Sequence, residues 1–89
     1  FRKAEANFNA KNYRDAYLQL LPLGHGGEAR AQYLLGRMSD NGLGQVQLDV
    51  TEASRWYRQA AEKNHAEAQF AMATAYATGH LGHVYWQGS

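Results

Sequence analysis

The stretch ARAQYLLGRMSDNGLGQVQLDVTEASRWYRQAA, residues 29–61, decides the fold. Its first part sets Ala31, Leu34, Leu35 and Met38 at i, i+3, i+4 and i+7, the spacing of one helix face, and predicts a helix over 28–41. Gly42 stops that helix and Gly44 supplies the second bend of the loop 43–48. The second part repeats the spacing with Ala53, Trp56, Tyr57, Ala60 and Ala61, and predicts a helix over 49–63. Asp49 suits its N-cap, with Glu52 three residues on as in a capping box. Asn64 suits its end, because Asn tolerates the left-handed conformation.

Shifting the chain by about 37 positions lays this stretch over its neighbours. Ala16 meets Ala53, Ala29 meets Ala66, Ala31 meets Ala68, Gln32 meets Gln69, Tyr33 meets Phe70 and Gly42 meets Gly79. Asn12 meets Asp49 and Gly27 meets Asn64, each pair keeping one conformational role. A period in this range belongs to solenoids, whose units bury their apolar faces only against one another. A third helix over 66–78 follows, with Ala68, Met72, Ala75 and Tyr76 on one face. The N-terminal third reads as two shorter helices, one over about 2–10 and one after Asn12, with Asp15 at N3 and Tyr13, Ala16, Tyr17 and Leu20 facing inward. Pro22 disfavours the helical conformation at Leu21, so this second helix is expected to end or kink near Leu20. Residues 80–89 lack periodicity and read as a tail or the stub of a further helix, leaving 1–79 as the repeat domain. The expected fold is all-α: antiparallel helix pairs stacked side by side, with small residues such as Gly36, Ala53 and Ala60 letting them approach.

The run Ala31-Gln32-Tyr33-Leu34-Leu35-Gly36, then Asn41-Gly42-Leu43-Gly44, then Asp49, Ala53, Trp56-Tyr57 and Ala60-Ala61, resembles one full Sel-one-like repeat, a relative of the tetratricopeptide repeats. Residues 66–79 resemble the first helix of the next repeat, and 7–27 the second half of a preceding, more tetratricopeptide-like unit. Ser39 stands where the pattern has Tyr, Ala73 replaces the glycine seen at Gly36, and the loop before Asp49 is one residue longer than usual. The resemblance implies a right-handed α-α superhelix of about two repeats that serves as a scaffold or adaptor in multiprotein assemblies, often bacterial. It implies no shared catalytic residue and no cofactor.

The bulk composition points the same way. The 89 residues fit one domain. Such a domain buries about 60–65% of its unfolded surface and is marginal in stability. Nine Lys and Arg against eight Asp and Glu form no basic stripe, which argues against nucleic acid as a partner. Cysteine is absent, so disulfides and thiolate chemistry are excluded and the compartment stays open. The apolar runs are too short for a membrane span, and no signal peptide is visible. A start at Phe1 without Met is expected of a mature or excised piece. His80 and His83, even with His25 and His65, do not read as a zinc site without Cys. The glycines around His25 follow a helix rather than a strand and lack the Lys-Ser/Thr of a phosphate loop. No serine sits in a Gly-x-Ser-x-Gly turn and the carboxylates occur singly, so catalysis is not expected.

What remains is recognition. Trp56 and Tyr57 match the apolar face and read as core rather than as a stacking platform. Tyr33 and Phe70 sit at equivalent positions on first helices, which line the concave side of such stacks. They read as an aromatic ridge for an apolar peptide, with Arg37 and Thr74 one turn further on, or else as residues that flank the core. Arg37 and Asp40 either hydrogen-bond a partner or pair with each other at i, i+3. The expected partner surface is therefore Tyr33, Arg37, Asp40, Phe70 and Thr74, taking a protein or peptide. The competing reading is a spacer or capping segment of a longer solenoid, with Val84-Tyr85-Trp86 covering an open end that otherwise self-associates.

Overall fold

The computed structural model describes residues 1–44 and 47–78, with the side chains of 75–78 left aside. Within them lie five helices: α1 (Arg2–Asn9), α2 (Tyr13–His25), α3 (Ala29–Asn41), α4 (Val50–Glu62) and α5 (Ala66–Thr78). Each packs on the next in sequence, so α1/α2 and α3/α4 form antiparallel hairpins and α5 opens a third unit. Among the described residues there is no strand. Gly79, the residues expected as a tail and the side chain of Tyr76 lie outside the described part.

The repeat seen in the sequence returns in two backbone bonds at each of the turns that join one hairpin to the next. After α2, Gly27 N–H donates to Gly24 O (3.1 Å) and Glu28 N–H to Leu23 O (3.0 Å). After α4, Asn64 N–H donates to Ala61 O (2.9 Å) and His65 N–H to Ala60 O (3.2 Å), each 37 positions on. Gly27 and Asn64 both take positive φ, +99° and +64°, where glycine and asparagine are the residues least penalised. A second bond ties the units together. Gln32 Nε2 donates to Gly24 O (2.9 Å), and Gln69 Nε2 donates to Ala61 O (3.1 Å). The paired glutamines therefore fasten the first helix of one hairpin to the last turn of the hairpin before it.

Two expectations about helix ends need correction. α2 does not stop near Leu20 but runs on to His25 through Pro22. Pro22 removes one donor, that to the carbonyl four residues back. Pro22 and Leu18 both lie on the exposed face, where water replaces the lost donor, while Leu20 and Gly24 on the opposite face stay buried. Asn12 stands at the N-cap of α2 without a side-chain cap bond. Its side-chain Nδ2 donates to Asn7 Oδ1 at 3.5 Å, and its backbone N–H donates to Asn7 O at 2.8 Å. Asp49 behaves as read: its carboxylate accepts from Thr51 N (3.0 Å) and Glu52 N (3.1 Å). The capping box does not close, because Asp49 N–H goes to Ser39 O and Glu52 pairs with Arg55.

The interior forms as two clusters rather than one. The larger holds Phe8, Leu20, Leu35, Met38 and Trp56; the smaller holds Ala53 and Tyr57, with Met72 of α5 against it. Tyr33 packs against both. Complete burial of Leu20 and Leu35 stabilises the fold by about 1.5–3 kcal/mol each. Gly36 lets the Tyr57 ring lie against the α3 backbone: a Cβ there would stand 2.6 Å from the ring carbons.

Candidate functional site

The first helices, α1, α3 and α5, share one side of the stack, and between them lies a depression of about 220 Å³. That volume is below the 300–1,000 Å³ usual for drug-sized ligands and suits one or two side chains. From α3 the depression takes Arg30, Tyr33, Leu34 and Arg37, about two turns of one stripe. From α1 it takes Phe1, Glu5 and Asn9, again one stripe at i, i+4, i+8. His65 and Glu67, at the start of α5, close the third side.

Each arginine of α3 is laid on an aromatic ring. The Arg30 guanidinium stands 4.4 Å from the Phe1 ring centre, and the Arg37 guanidinium 5.1 Å from Phe8 and 5.9 Å from Tyr33. Their charge states differ in company. Arg30 donates through Nε and Nη2 to both carboxylate oxygens of Glu28, each at 3.2 Å. Those bonds hold the Glu28 carboxyl below the usual carboxylate range, although the pair is exposed. The same carboxylate caps α3 by accepting from Arg30 N–H at 3.2 Å. Arg37 forms no ion pair among the described residues, nor do Glu5 and Glu67.

His65 holds the α5 side in place. Its Nδ1 accepts the Ala68 N–H at 3.2 Å, and its ring lies 5.1 Å from that of Tyr33. The acceptor role leaves Nδ1 without a proton in this arrangement. His65 is the repeat counterpart of Glu28, so an imidazole and a carboxylate cap equivalent helices.

The five residues singled out in the sequence fall in three places. Tyr33 and Arg37 come together in the depression, Tyr33 half-buried and Arg37 exposed. Asp40 is turned towards α4, where it accepts from the Tyr57 hydroxyl at 3.4 Å. Burial, followed by the charge of Asp40, pushes the Tyr57 phenol well above its ordinary range. Phe70, 74% exposed, and exposed Thr74 lie on α5 outside the depression. The expected ridge of Tyr33 and Phe70 is therefore not a single lining. Sequence reasoning missed Phe1, Glu5, His65 and Glu67. The i, i+4 spacing of Phe1 and Glu5 was the available signal, but it becomes a site only once α1 lies beside α3.

Among the described residues no group of three or more His, Asp or Glu is placed to hold a metal ion, and no helix is long and apolar enough to cross a membrane. The arrangement offers aromatic faces, a guanidinium and two carboxylates, the means of non-covalent recognition. The family model described as Sel1 repeat matches residues 29–65 and 66–88. The first match opens at the start of α3 and ends on His65, one complete hairpin with its following turn. No curated protein and no solved structure matches the chain. Sel1 repeats are helical scaffolds that mediate protein–protein interaction and are not typically enzymes. With its hairpin period, its recurring glutamine bond and these two matched units, the chain belongs to the Sel1 repeat family.

Proposed function

We propose that this chain is an adaptor module that seats a segment of a partner protein on the side shared by α1, α3 and α5. The observation that carries this reading is the juxtaposition in one depression of the half-buried Tyr33 ring and the exposed Arg37 guanidinium held over two rings. An apolar partner side chain buries area on Tyr33 and Leu34, and polar contacts fix its register. Phe70 and Thr74 extend that surface along α5, and Asp40 sets its edge next to α4. The test is site-directed photo-crosslinking with the full chain. A crosslinker at Asn9, exposed on the rim, should trap the partner, whereas one at Leu18 on the outer face of α2 should not. Equal trapping from both positions would move the interface elsewhere.

One observation favours the second reading, a packing role within a longer stack. Phe70 is bare where its counterpart Tyr33 is sheltered by Tyr57 and His65. In that reading Phe70 awaits a further helix. Substituting Phe70 would then alter how the chain joins its neighbours and leave partner trapping from Asn9 unchanged.

A further inference from the structure

The charges around the depression are not evenly mixed. α3 presents Arg30 and Arg37 seven residues apart on one stripe, about 10 Å at 1.5 Å per residue. Glu67, the repeat counterpart of Arg30, marks the same level on α5, and Glu5 reaches in from α1. At this end Arg30 is matched by Glu28. Three carboxylates thus face one cation, and among the described residues the two carboxylates lining the depression form no ion pair. At the other end Arg37 lines the wall with only Asn9 from α1 beside it. Tyr33 and Leu34 lie between the two ends. His65, next to Tyr33, accepts the Ala68 N–H through Nδ1.

We propose that this groove is electrically two-ended and selects an extended partner segment bearing a basic and an acidic side chain about 10 Å apart, with an apolar side chain between them. A segment in the polyproline II conformation advances about 3.1 Å per residue with three residues per turn, so two charged residues three apart stand about 9 Å from each other on the same face. The basic side chain meets Glu67 and Glu5, the acidic one meets the Arg37 fork, and the apolar one rests on Tyr33. Aromatic support makes Arg37 the better of the two arginines for this role. Its stem and plane are held by Phe8 and Tyr33, while its N–H edges are not taken by a carboxylate as those of Arg30 are. This inference rests on the groove being the binding surface.

The test uses four fluorescein-labelled peptides in one Gly/Ser frame, read by fluorescence anisotropy against the full chain. Their cores are Lys-Val-Leu-Glu, Lys-Val-Leu-Lys, Glu-Val-Leu-Glu and Gln-Val-Leu-Gln. Surface ion pairs are worth about 0.2–1 kcal/mol, and a single-sign peptide loses one and gains a like-charge contact of similar size, so the mixed peptide should bind about twofold to thirtyfold more tightly than either single-sign peptide. Arg37→Glu should transfer the preference to the double-Lys peptide, and Glu67→Arg should transfer it towards the double-Glu peptide. Both positions are exposed, and circular dichroism checks whether each variant keeps its helices, as expected. Equal binding of all four peptides would overturn the charge selection while leaving the groove as an apolar docking site. Failure of all four to bind at millimolar concentration would overturn the groove reading as well.

Discussion

The junction between α2 and α3 and the junction between α4 and α5 carry the same turn and the same glutamine bond, yet one is interior and the other is surface. Gln32 is 1% exposed whereas Gln69 is exposed; Tyr33 is half-buried whereas Phe70 is 74% exposed. The sequence differs little at these pairs. What differs is the company. Gln32 also donates to Gln59 Oε1 and accepts from Lys63 Nζ, both from the end of α4, and Tyr33 meets the Tyr57 ring. In a one-dimensional stack a position on a first helix acquires its burial from the helix that follows it, so two copies of one motif diverge in energy without diverging in backbone.

The largest break in that comparison comes from the aromatic positions. Trp56 is 7% exposed and reaches from α4 to the last turn of α2, where its ring lies 5.4 Å from His25. Trp56→Ala should cost about 3–5 kcal/mol, a large share of the roughly 4–13 kcal/mol expected for a domain of this length. Phe70→Ala should stay within about 0.5 kcal/mol. Urea denaturation followed by circular dichroism measures both. Equal losses would mean that α5 is covered on its far side.

The glutamines come next. Gln32→Ala takes one of two donors from the buried Gly24 carbonyl, removes the partner of Lys63 and leaves a gap at a buried position, and should cost about 1–3 kcal/mol. Gln69→Ala exposes the Ala61 carbonyl to water and should cost about 0.5 kcal/mol or less. Hydrogen exchange at the two junctions separates these cases: the first variant loosens α2 against α3, the second leaves α4 against α5 near its original protection.

How much of this was legible depends on whether a residue acts alone or through a neighbour. Ala31, Leu34, Leu35 and Met38 announced the buried face of α3 because helical spacing is a local property. Asp49 announced its cap, and Gly27 and Asn64 their positive φ, for the same reason. Glu28 and His65 did not announce theirs. Neither belongs to the preferred capping types, and each caps only because the preceding turn points it at free N–H groups. Pro22 misled because its cost depends on which face it occupies. The depression was half legible: Tyr33 and Arg37 stood out, while Phe1 and Glu5 needed the approach of α1 to α3.

A smaller contrast lies between the second helices of the two hairpins. Asp49→Ala removes an acceptor used by two N–H groups and should cost about 1 kcal/mol. Asn12→Ala removes no side-chain cap bond and should cost a few tenths of that. Thermal melts of the two variants give the ordering. An equal loss would show that Asn12 caps α2 in solution.

The least conspicuous contrast at neutral pH is that between Leu20 and Tyr57, which occupy equivalent positions in the two hairpins and are both buried. Leu20 cannot ionise. Tyr57 can, and burial together with Asp40 raises its pKa in the folded chain above the ordinary value near 10. Above about pH 10 the unfolded chain gives up this proton while the folded chain keeps it. The folded state then binds more protons, and stability falls as pH rises. Below that pH the contribution is intact. Tyr57→Phe should therefore change stability by less than about 1 kcal/mol at pH 7, since the hydrogen bond to Asp40 is long at 3.4 Å. The same substitution should flatten the alkaline decline of the urea midpoint between about pH 9 and 11. A decline of undiminished slope in the Phe variant would assign the alkaline sensitivity to other groups and leave Tyr57 as a packing residue like Leu20.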